Sequence, residues 1–362
     1  MFSVKALLVG AALLGTSCGE LAGGPFGTGS GPSDAVDSAS VQAKAAASPS
    51  CLAGGPGLSD CGSAKESCCT SLPVAGGTFY RTYTNDGDRP TGEADPATVS
   101  SFRLDKYDVT VGRFRQFVNA WKGGWMPPAG SGKHTHLNGG QGLANGGPGG
   151  GYEPGWVVSD DSNIVPTGTL FSCRPSTWTN TASTQENLPI NCVNWYEAYA
   201  FCIWDGGGFL PSEAEWEYAA AGGSQQREFP WGSADPGWMN QYAIYQCHYP
   251  DSATYAGCSD VSNIAPVGTA VSGAGRWGQL DLVGNLSQWN LDFDSAFAEC
   301  TDCAYLTLTA AASARGIRGA DFESSPGYPT FYLLPPVWSH TGLGGPPAPR
   351  AENVGFRCSR TP

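Results

Sequence analysis

The chain has 362 residues, of which 41% are hydrophobic and only 14% are charged. It contains 51 glycines and 27 prolines, a composition that excludes a helical bundle and favours a loop-rich fold with many turns. The formal net charge of −13 argues against nucleic acid and against an anionic membrane surface as partners, because both would repel the chain.

The N-terminal segment has the features of an export signal. Lys5 precedes an apolar run at 6–14 that is too short to span a bilayer. Gly15 and the two residues after it, followed by Cys18, resemble the cleavage box of bacterial lipoproteins, although Leu is preferred where Gly15 stands. We expect residues 1–18 to be a lipoprotein-type signal, with Cys18 lipidated and the protein exported to the bacterial cell envelope. An ordinary secretory signal, which would give a secreted or periplasmic protein, is the alternative.

The cysteine count agrees with lipidation. The chain has 13 cysteines, so in an exported protein one cysteine would have no disulfide partner. If Cys18 carries lipid, the other 12 can form six disulfides in an oxidising compartment. Residues 19–50 are rich in small and polar side chains and predict a flexible linker. A cysteine-rich segment at 51–70 lacks metal-ligand spacing and predicts short-range disulfides. From residue 71 to residue 362 the composition is that of a globular domain.

Three segments predict helices, at 108–121, 194–204 and 212–221. Thr110 is the expected N-cap of the first. Asn194 and Ser212 begin the other two, and each is followed three residues later by a glutamate, Glu197 or Glu215, in a capping-box pattern.

The third helix raises a question about its acidic residues. Glu213, Glu215 and Glu217 fall at alternate positions around Trp216 and Tyr218. A carboxylate cluster beside aromatics is compatible with general acid/base catalysis. The pattern is better explained as a cap plus one helix face, because negative charge near the first turn suits the helix dipole. We therefore expect a capped, half-buried helix.

The third helix and five other blocks resemble the sulfatase-modifying-factor family of formylglycine-generating enzymes, whose relatives include ergothioneine synthases and pyoverdine-maturation proteins. The matching blocks are PVAGGTFY (73–80), FRLDKYDVTVGRFRQFV (102–118), LPINCVNWYEAYAFCIWDGG (188–207), LPSEAEWEYAAAGG (210–223) with FPWG (229–232), LDLVGNLSQWNLD (280–292) and NVGFRCSR (353–360). The resemblance covers about residues 71–362 and implies an α+β, C-type-lectin-like fold that is poor in regular secondary structure. Phe209 and Ala221 stand where the family usually has Arg.

The resemblance breaks at the family's copper site. Formylglycine-generating enzymes hold Cu(I) with two cysteine thiolates, and the matching block here is RGADFESSPGYP (318–329). Ser324 and Pro329 fall at the two cysteine positions. Serine is a poor copper ligand and proline offers no ligand atom, so copper is not expected as a cofactor and no catalytic residue is assigned.

The resemblance also implies a disulfide between Cys202 and Cys358, which would tie the second helix to the last strand. The remaining cysteines of the globular part suggest two loop disulfides, Cys173–Cys192 and Cys247–Cys258, and a CxxC pair, Cys300 and Cys303. A redox role for the CxxC would require a helix N-terminus after a strand, so a tight structural bridge or pairing elsewhere is favoured.

A long glycine-rich loop at about 122–160 carries other candidate groups. His134 and His136 form an H-x-H that could chelate one metal, or could belong to a polar surface loop. The same loop carries aromatic residues that suit either ligand contact or anchoring of the loop, namely Trp125, Tyr152 and Trp156.

A structural calcium site is implied by the family's turn, which corresponds to DLVGNLSQW (281–289). Asp281 and Gln288 would offer side-chain oxygens, and Gly284 and Leu286 backbone carbonyls. Gln288 stands where the family usually has Glu, so one charge is lost and the affinity for Ca²⁺ should fall.

Two functional classes follow. The loss of both copper cysteines favours a cell-envelope binding module whose ligand is a peptide, a glycan or a small molecule. The alternative is a divergent enzyme, an oxidoreductase or protein-modifying enzyme acting on an exported peptide or small molecule. In either case a lipid anchor would be the only contact with the membrane.

Overall fold

Short regular elements separated by long loops build the chain. We describe them from a computed structural model, in residues 48–167, 173–251, 258, 260–309, 314–324 and 350–362. The predicted signal with Cys18, most of the predicted linker, and Pro329 lie outside these residues. The helices and strands are β1 (Ser71–Val74), β2 (Gly77–Asn85), β3 (Pro90–Val99), β4 (Phe102–Asp105), α1 (Val111–Lys122), β5 (Ala144–Asn145), α2 (Trp195–Trp204), α3 (Glu213–Ala220), β6 (Ser287–Phe293), β7 (Cys300–Thr301), β8 (Cys303–Ala304), β9 (Arg315–Arg318), β10 (Val354–Gly355) and β11 (Ser359–Arg360).

The three predicted helices are confirmed, together with their caps. The Thr110 side chain accepts a hydrogen bond from the backbone N–H of Arg113 at the start of α1. Both reciprocal hydrogen bonds of the capping box are present at Asn194 before α2 and at Ser212 before α3. Local sequence therefore sets where each helix begins.

Small mixed sheets surround the helices. In one of them β6 is central, parallel to β10 and antiparallel to β9, with Gln288 opposite Arg318. In a second, β4 lies between β1 and β11, which brings the last strand beside the first strands of the domain. The described residues thus combine helices and sheets with little regular structure, as predicted from the glycine and proline content.

An aromatic core joins α1, α2 and the C-terminal segment. Phe114 of α1 stacks on Phe201 of α2, with ring centroids 6.0 Å apart, and both rings lie edge-on to Phe356. All three side chains are fully buried. A second core packs α3 against β2, β3 and β4, so α3 lies between sheets in the interior.

Six disulfides join all twelve cysteines that follow Cys18. The pairs are Cys51–Cys69, Cys61–Cys68, Cys173–Cys192, Cys202–Cys358, Cys247–Cys258 and Cys300–Cys303. The expected pairing of Cys202 with Cys358 and the two expected loop disulfides are confirmed, and the CxxC cysteines pair with each other.

Ser50, the last residue of the predicted linker, anchors the start of the cysteine-rich segment to the rest of the domain. The backbone N–H of Ser50 donates to Asp205 Oδ1 at 3.0 Å, and Arg113 Nε donates to Ser50 Oγ at 3.1 Å. Burial opposes the ionised form of Asp205, but Arg113 and Arg360 outweigh it and lower its pKa to about 2. Among the described residues, no helix has both the length and the apolar character needed to cross a bilayer.

Candidate functional site

Every residue of α3 is buried. The expectation of a half-buried helix was therefore wrong, because the charged face is covered as completely as the apolar one. The glutamates on the charged face of α3 are covered by cationic side chains from distant parts of the chain. A buried carboxylate requires such a partner, since removing it from water is costly.

Two arginines neutralise one face of α3. Arg81 of β2 lies 2.7 Å from Glu217 through its Nε and 3.2 Å from Glu213 through Nη2. Arg318 of β9 pairs with Glu213 and lies 3.4 Å from Glu217. Burial raises the pKa of Glu217, and the two arginines oppose this rise.

A histidine from the long loop neutralises the other face. His134 is fully buried between two carboxylates, with Nδ1 2.9 Å from Glu153 and Nε2 3.0 Å from Glu215. Burial alone would lower the pKa of His134, but the charges of Glu215 and Glu153 raise it to about 10. The imidazolium also packs on the ring of Phe209, with centroids 3.7 Å apart.

These contacts settle the question raised by the three glutamates. Glu215 accepts from the backbone N–H of the N-cap Ser212 at 2.9 Å and also pairs with His134. Glu213 and Glu217 pair with buried arginines. The cap is confirmed, and each carboxylate has a structural partner of opposite charge.

The side chains of His134 and His136 are not arranged to bind one metal ion together. Both ring nitrogens of His134 already face carboxylates, and the ring of His136 lies 6.2 Å away. The nitrogens of His136 are buried without a hydrogen-bond partner among the described residues. Within that part of the chain, no group of three or more His, Cys, Asp or Glu side chains is placed to hold a metal ion.

The aromatic residues of the long loop divide into anchors and an exposed ring. Trp156 is buried, donates through Nε1 to Asp161 at 2.8 Å and packs against Tyr199 of α2. Trp125 packs against Phe117 of α1, with centroids 5.8 Å apart. Tyr152 is 44% exposed, so it alone of the three predicted aromatics presents much surface to a ligand.

The turn that corresponds to the family's calcium site is closed by protein contacts. The Gln288 oxygen accepts from Trp216 Nε1 at 2.7 Å and from Arg357 Nε at 2.8 Å, and its amide nitrogen donates to the carbonyl of Asp281 at 2.6 Å. Two donors already occupy this oxygen, and one of them is a cation. The side chain of Gln288 as placed does not fit a calcium ligand.

The carboxylate of Asp281 also has a protein partner. The carboxylate of Asp281 accepts from the backbone N–H of Gly268 at 2.6 Å, and burial raises its pKa to about 6. Gly284 and Leu286 lie in the turn itself, where Leu286 is fully buried. The calcium site therefore stays a prediction.

The copper block forms a closed turn where it is described. Ser324 Oγ accepts from the backbone N–H of Asp321 and donates to its Oδ1, both at 3.1 Å. The other oxygen of Asp321 accepts from Asn353 at 2.9 Å. Burial raises the pKa of Asp321, and these hydrogen bonds oppose the rise.

Sequence reasoning missed a cleft next to α3. It is lined by Arg81, Glu213 and Asp292, by Phe297, and by Cys303 of the CxxC. Burial and the charge of Glu213 raise the pKa of Asp292 to about 7. The CxxC spacing was the available signal, but nothing in the sequence places Asp292 beside it.

These features describe an α+β scaffold in which disulfides and buried ion pairs hold long loops around a capped, buried helix. The sequence model of the Sulfatase-modifying factor enzyme 1-like domain matches residues 59–362, and the chain belongs to this family. Its fold is the C-type-lectin-like fold of formylglycine-generating enzymes, as the sequence predicted.

Named relatives match over most of the domain. The chain is 28% identical to the formylglycine-generating enzyme of Mus musculus, over 80% of this chain and 74% of that protein. The enzyme of Thermomonospora curvata is also 28% identical, over 80% and 93%. A protein of Mus musculus named inactive C-alpha-formylglycine-generating enzyme 2 is 27% identical, over 82% and 87%. The solved structure of PvdO from Pseudomonas aeruginosa is similar with a TM-score of 0.45 and 19% identity, over 85% and 100%.

Proposed function

We propose that this protein is an exported lipoprotein of the bacterial cell envelope whose formylglycine-generating-enzyme-like domain binds a ligand and lacks copper oxidase activity. The observation that carries the proposal is the turn at one copper-cysteine position. There the hydroxyl of Ser324 exchanges hydrogen bonds with the backbone N–H and the carboxylate of Asp321.

The chemistry of this turn is unsuited to Cu(I). Copper in this oxidation state prefers soft thiolate ligands, and a serine hydroxyl engaged with a carboxylate is a hard oxygen group. Pro329, at the second position, has no side-chain ligand atom. The Mus musculus relative named inactive C-alpha-formylglycine-generating enzyme 2 supports the proposal that this scaffold can occur without oxidase activity.

The ligand we propose is a peptide, a glycan or a small molecule. A net charge of −13 disfavours nucleic acid, and a lipid on Cys18 would hold the domain at the membrane without direct contact between the fold and the bilayer. The exposed Tyr152 on the long loop offers an aromatic surface to such a ligand.

Copper titration with an oxygen-consumption assay tests the loss of oxidase activity. The full chain is titrated with Cu(I) and then given oxygen and a Cys-x-Pro-x-Arg peptide. We expect no 1:1 high-affinity copper complex and no oxygen uptake above a copper-free control. Tight stoichiometric binding with turnover would refute the proposal and support a divergent enzyme.

A double variant supplies the positive control. Ser324→Cys with Pro329→Cys restores both thiolate positions and should gain tight Cu(I) binding, whereas Ser324→Cys alone supplies one thiolate and should bind weakly.

The lipid anchor is tested separately by mass spectrometry of the protein made in a bacterial host. Lipid mass on the wild type that is absent from Cys18→Ser is expected, and an unmodified wild type would refute the lipoprotein assignment.

A further inference from the structure

The Cys300–Cys303 disulfide differs from the buried disulfides of the core in its access to solvent. Cys202 and Cys358 are completely buried, and so is Cys68. Cys303 is only partly buried and lines the cleft beside α3, while its partner Cys300 is 4% exposed. One sulfur of the pair can therefore be reached from the cleft, and the other is shielded behind it.

The cleft is shallow and open to solvent. Its cavity volume is about 30 Å³, so it gives a small group such as a thiol access to Cys303 without enclosing a whole side chain. Arg81 lines it and lies 3.7 Å above the ring of Phe297. The guanidinium is paired with Glu213 and Glu217, so charged groups of both signs line the cleft that Cys303 reaches.

A proton-exchanging group lies next to the same disulfide. Asp292 of β6 accepts through Oδ1 from the backbone N–H of Tyr305 at 2.7 Å, and Tyr305 follows Cys303 by two residues. The backbone N–H of Phe293 donates to the carbonyl of Tyr305 at 2.7 Å, which holds β6 alongside the segment that carries the cysteine. The carboxyl of Asp292 also lines the cleft.

The charges that face Asp292 come from three other elements. Glu213 of α3 donates its backbone N–H to Asp292 Oδ2 at 2.7 Å, and its carboxylate opposes ionisation of Asp292. Arg81 of β2 favours ionisation, and Arg315 of β9 also interacts electrostatically with Asp292. Their balance, together with burial, leaves the pKa of Asp292 at about 7, where the group takes up and releases protons near neutral pH.

We propose that the Cys300–Cys303 disulfide is a thiol–disulfide exchange site for a peptide that carries two cysteines. This activity goes beyond the proposed binding role and does not depend on it. No metal is required, because the oxidant is the protein disulfide and the reductant is the peptide dithiol.

The exchange proceeds in two displacements. A thiolate of the peptide attacks Cys303 Sγ, so a peptide–Cys303 bond forms, the Cys300–Cys303 bond breaks and Cys300 leaves as a thiolate that gains a proton. The second peptide thiolate attacks the peptide sulfur of this mixed disulfide and releases Cys303. The peptide loses two electrons and two protons, and the protein pair gains both. Asp292 accepts the proton of the incoming thiol and returns it to a leaving sulfur.

Mass mapping on the unaltered full chain tests which disulfide reacts. The oxidised protein is mixed with one molar equivalent of a reduced two-cysteine peptide, quenched with acid and alkylated, and each cysteine is scored for label. We expect Cys300 and Cys303 to be labelled first and the peptide to be oxidised one-to-one. The matched comparison is the partly buried pair Cys51–Cys69. Equal or earlier labelling of that pair would overturn the proposal, and because no variant is needed, misfolding cannot obscure the result.

Variants identify the attacked sulfur and the proton carrier. With the disulfide-bonded form of the peptide, the Cys303 thiolate of Cys300→Ser should attack the peptide disulfide, form a mixed disulfide and release one peptide thiol, whereas Cys303→Ser should form little mixed disulfide. Removing the control pair with Cys51→Ser and Cys69→Ser should leave the rate of exchange unchanged.

Asp292→Asn tests the proton carrier. This variant should slow exchange at pH 7 at least about tenfold and abolish the inflection of the exchange rate near this pH. Mixed disulfides formed equally on both sulfurs, or a pH profile unaltered by Asp292→Asn, would count against the assigned roles.

Discussion

The buried helix α3 and the Asp321–Ser324 turn belong to one scaffold but hold their polar side chains in different ways. In α3 the signature residues are retained, and each carboxylate faces a buried arginine or histidine. In the turn the copper cysteine is replaced, and the serine hydroxyl closes locally on a carboxylate three residues away. The residues that hold this fold together are therefore separable from those that would hold a metal.

Among the substitutions in the buried scaffold, we expect the largest loss of stability at His134. His134→Leu removes the cation between Glu153 and Glu215 and leaves two buried carboxylates facing each other. Breaking a buried pair by removing one partner costs about 3–5 kcal/mol. Urea unfolding of the full chain measures the loss, with His136→Leu as the matched control, for which we expect about 1 kcal/mol or less. Equal losses would mean that the carboxylates do not depend on this cation.

The same pair predicts a pH dependence. The pKa of His134 rises from 6.5 in the unfolded chain to about 10 in the folded protein, so its protonation stabilises the native state. This contribution is complete below pH 6.5 and disappears as the pH rises through about 10. The difference in unfolding free energy between wild type and His134→Leu should therefore be largest below pH 6.5 and shrink toward pH 10. A difference that stays constant over this range would contradict a raised pKa.

Local features of the fold could be predicted from the sequence, and long-range charge pairing could not. The N-caps Thr110, Asn194 and Ser212 lie next to the residues they cap, so their pattern is visible in a short window. The partners of the glutamates are remote, since 136 residues separate Arg81 from Glu217 and 81 separate His134 from Glu215. A single sequence gives no signal for such contacts.

Phe209 takes part in one of these long-range contacts. The sequence shows only that Phe stands where the family usually has Arg. In the structure the ring of Phe209 supports His134, and the histidine brings a cation to Glu215 from the loop. The H-x-H that suggested a metal chelate is thus used, through its first histidine, in a buried ion pair.

An intermediate effect is expected from restoring a metal-site residue, with Gln288→Glu. The amide nitrogen of Gln288 donates to the carbonyl of Asp281, and a carboxylate there would place two oxygens against each other. Without Ca²⁺ this should cost about 1–3 kcal/mol, the penalty of an unsatisfied buried polar group. Millimolar Ca²⁺ should recover part of the loss in the variant and change the unfolding midpoint of the wild type much less. A wild type stabilised as strongly as the variant would instead support the family's calcium site in this chain.

The smallest losses of stability are expected from two serines that make the same kind of hydrogen bond, one in the cap of α3 and one in the Asp321–Ser324 turn. Ser212 Oγ accepts from the backbone N–H of Glu215 in the buried cap of α3, and Ser324 Oγ accepts from that of Asp321 in a partly exposed turn. Ser212→Ala should cost about 1–2 kcal/mol, because the freed N–H at a buried helix start cannot reach water. Ser324→Ala should cost only about 0.5 kcal/mol, because water can replace the hydroxyl at a partly exposed site. If the two variants lose the same free energy in urea unfolding, the turn at the former copper position is as much a part of the scaffold as α3, and the separation of scaffold from chemistry fails there.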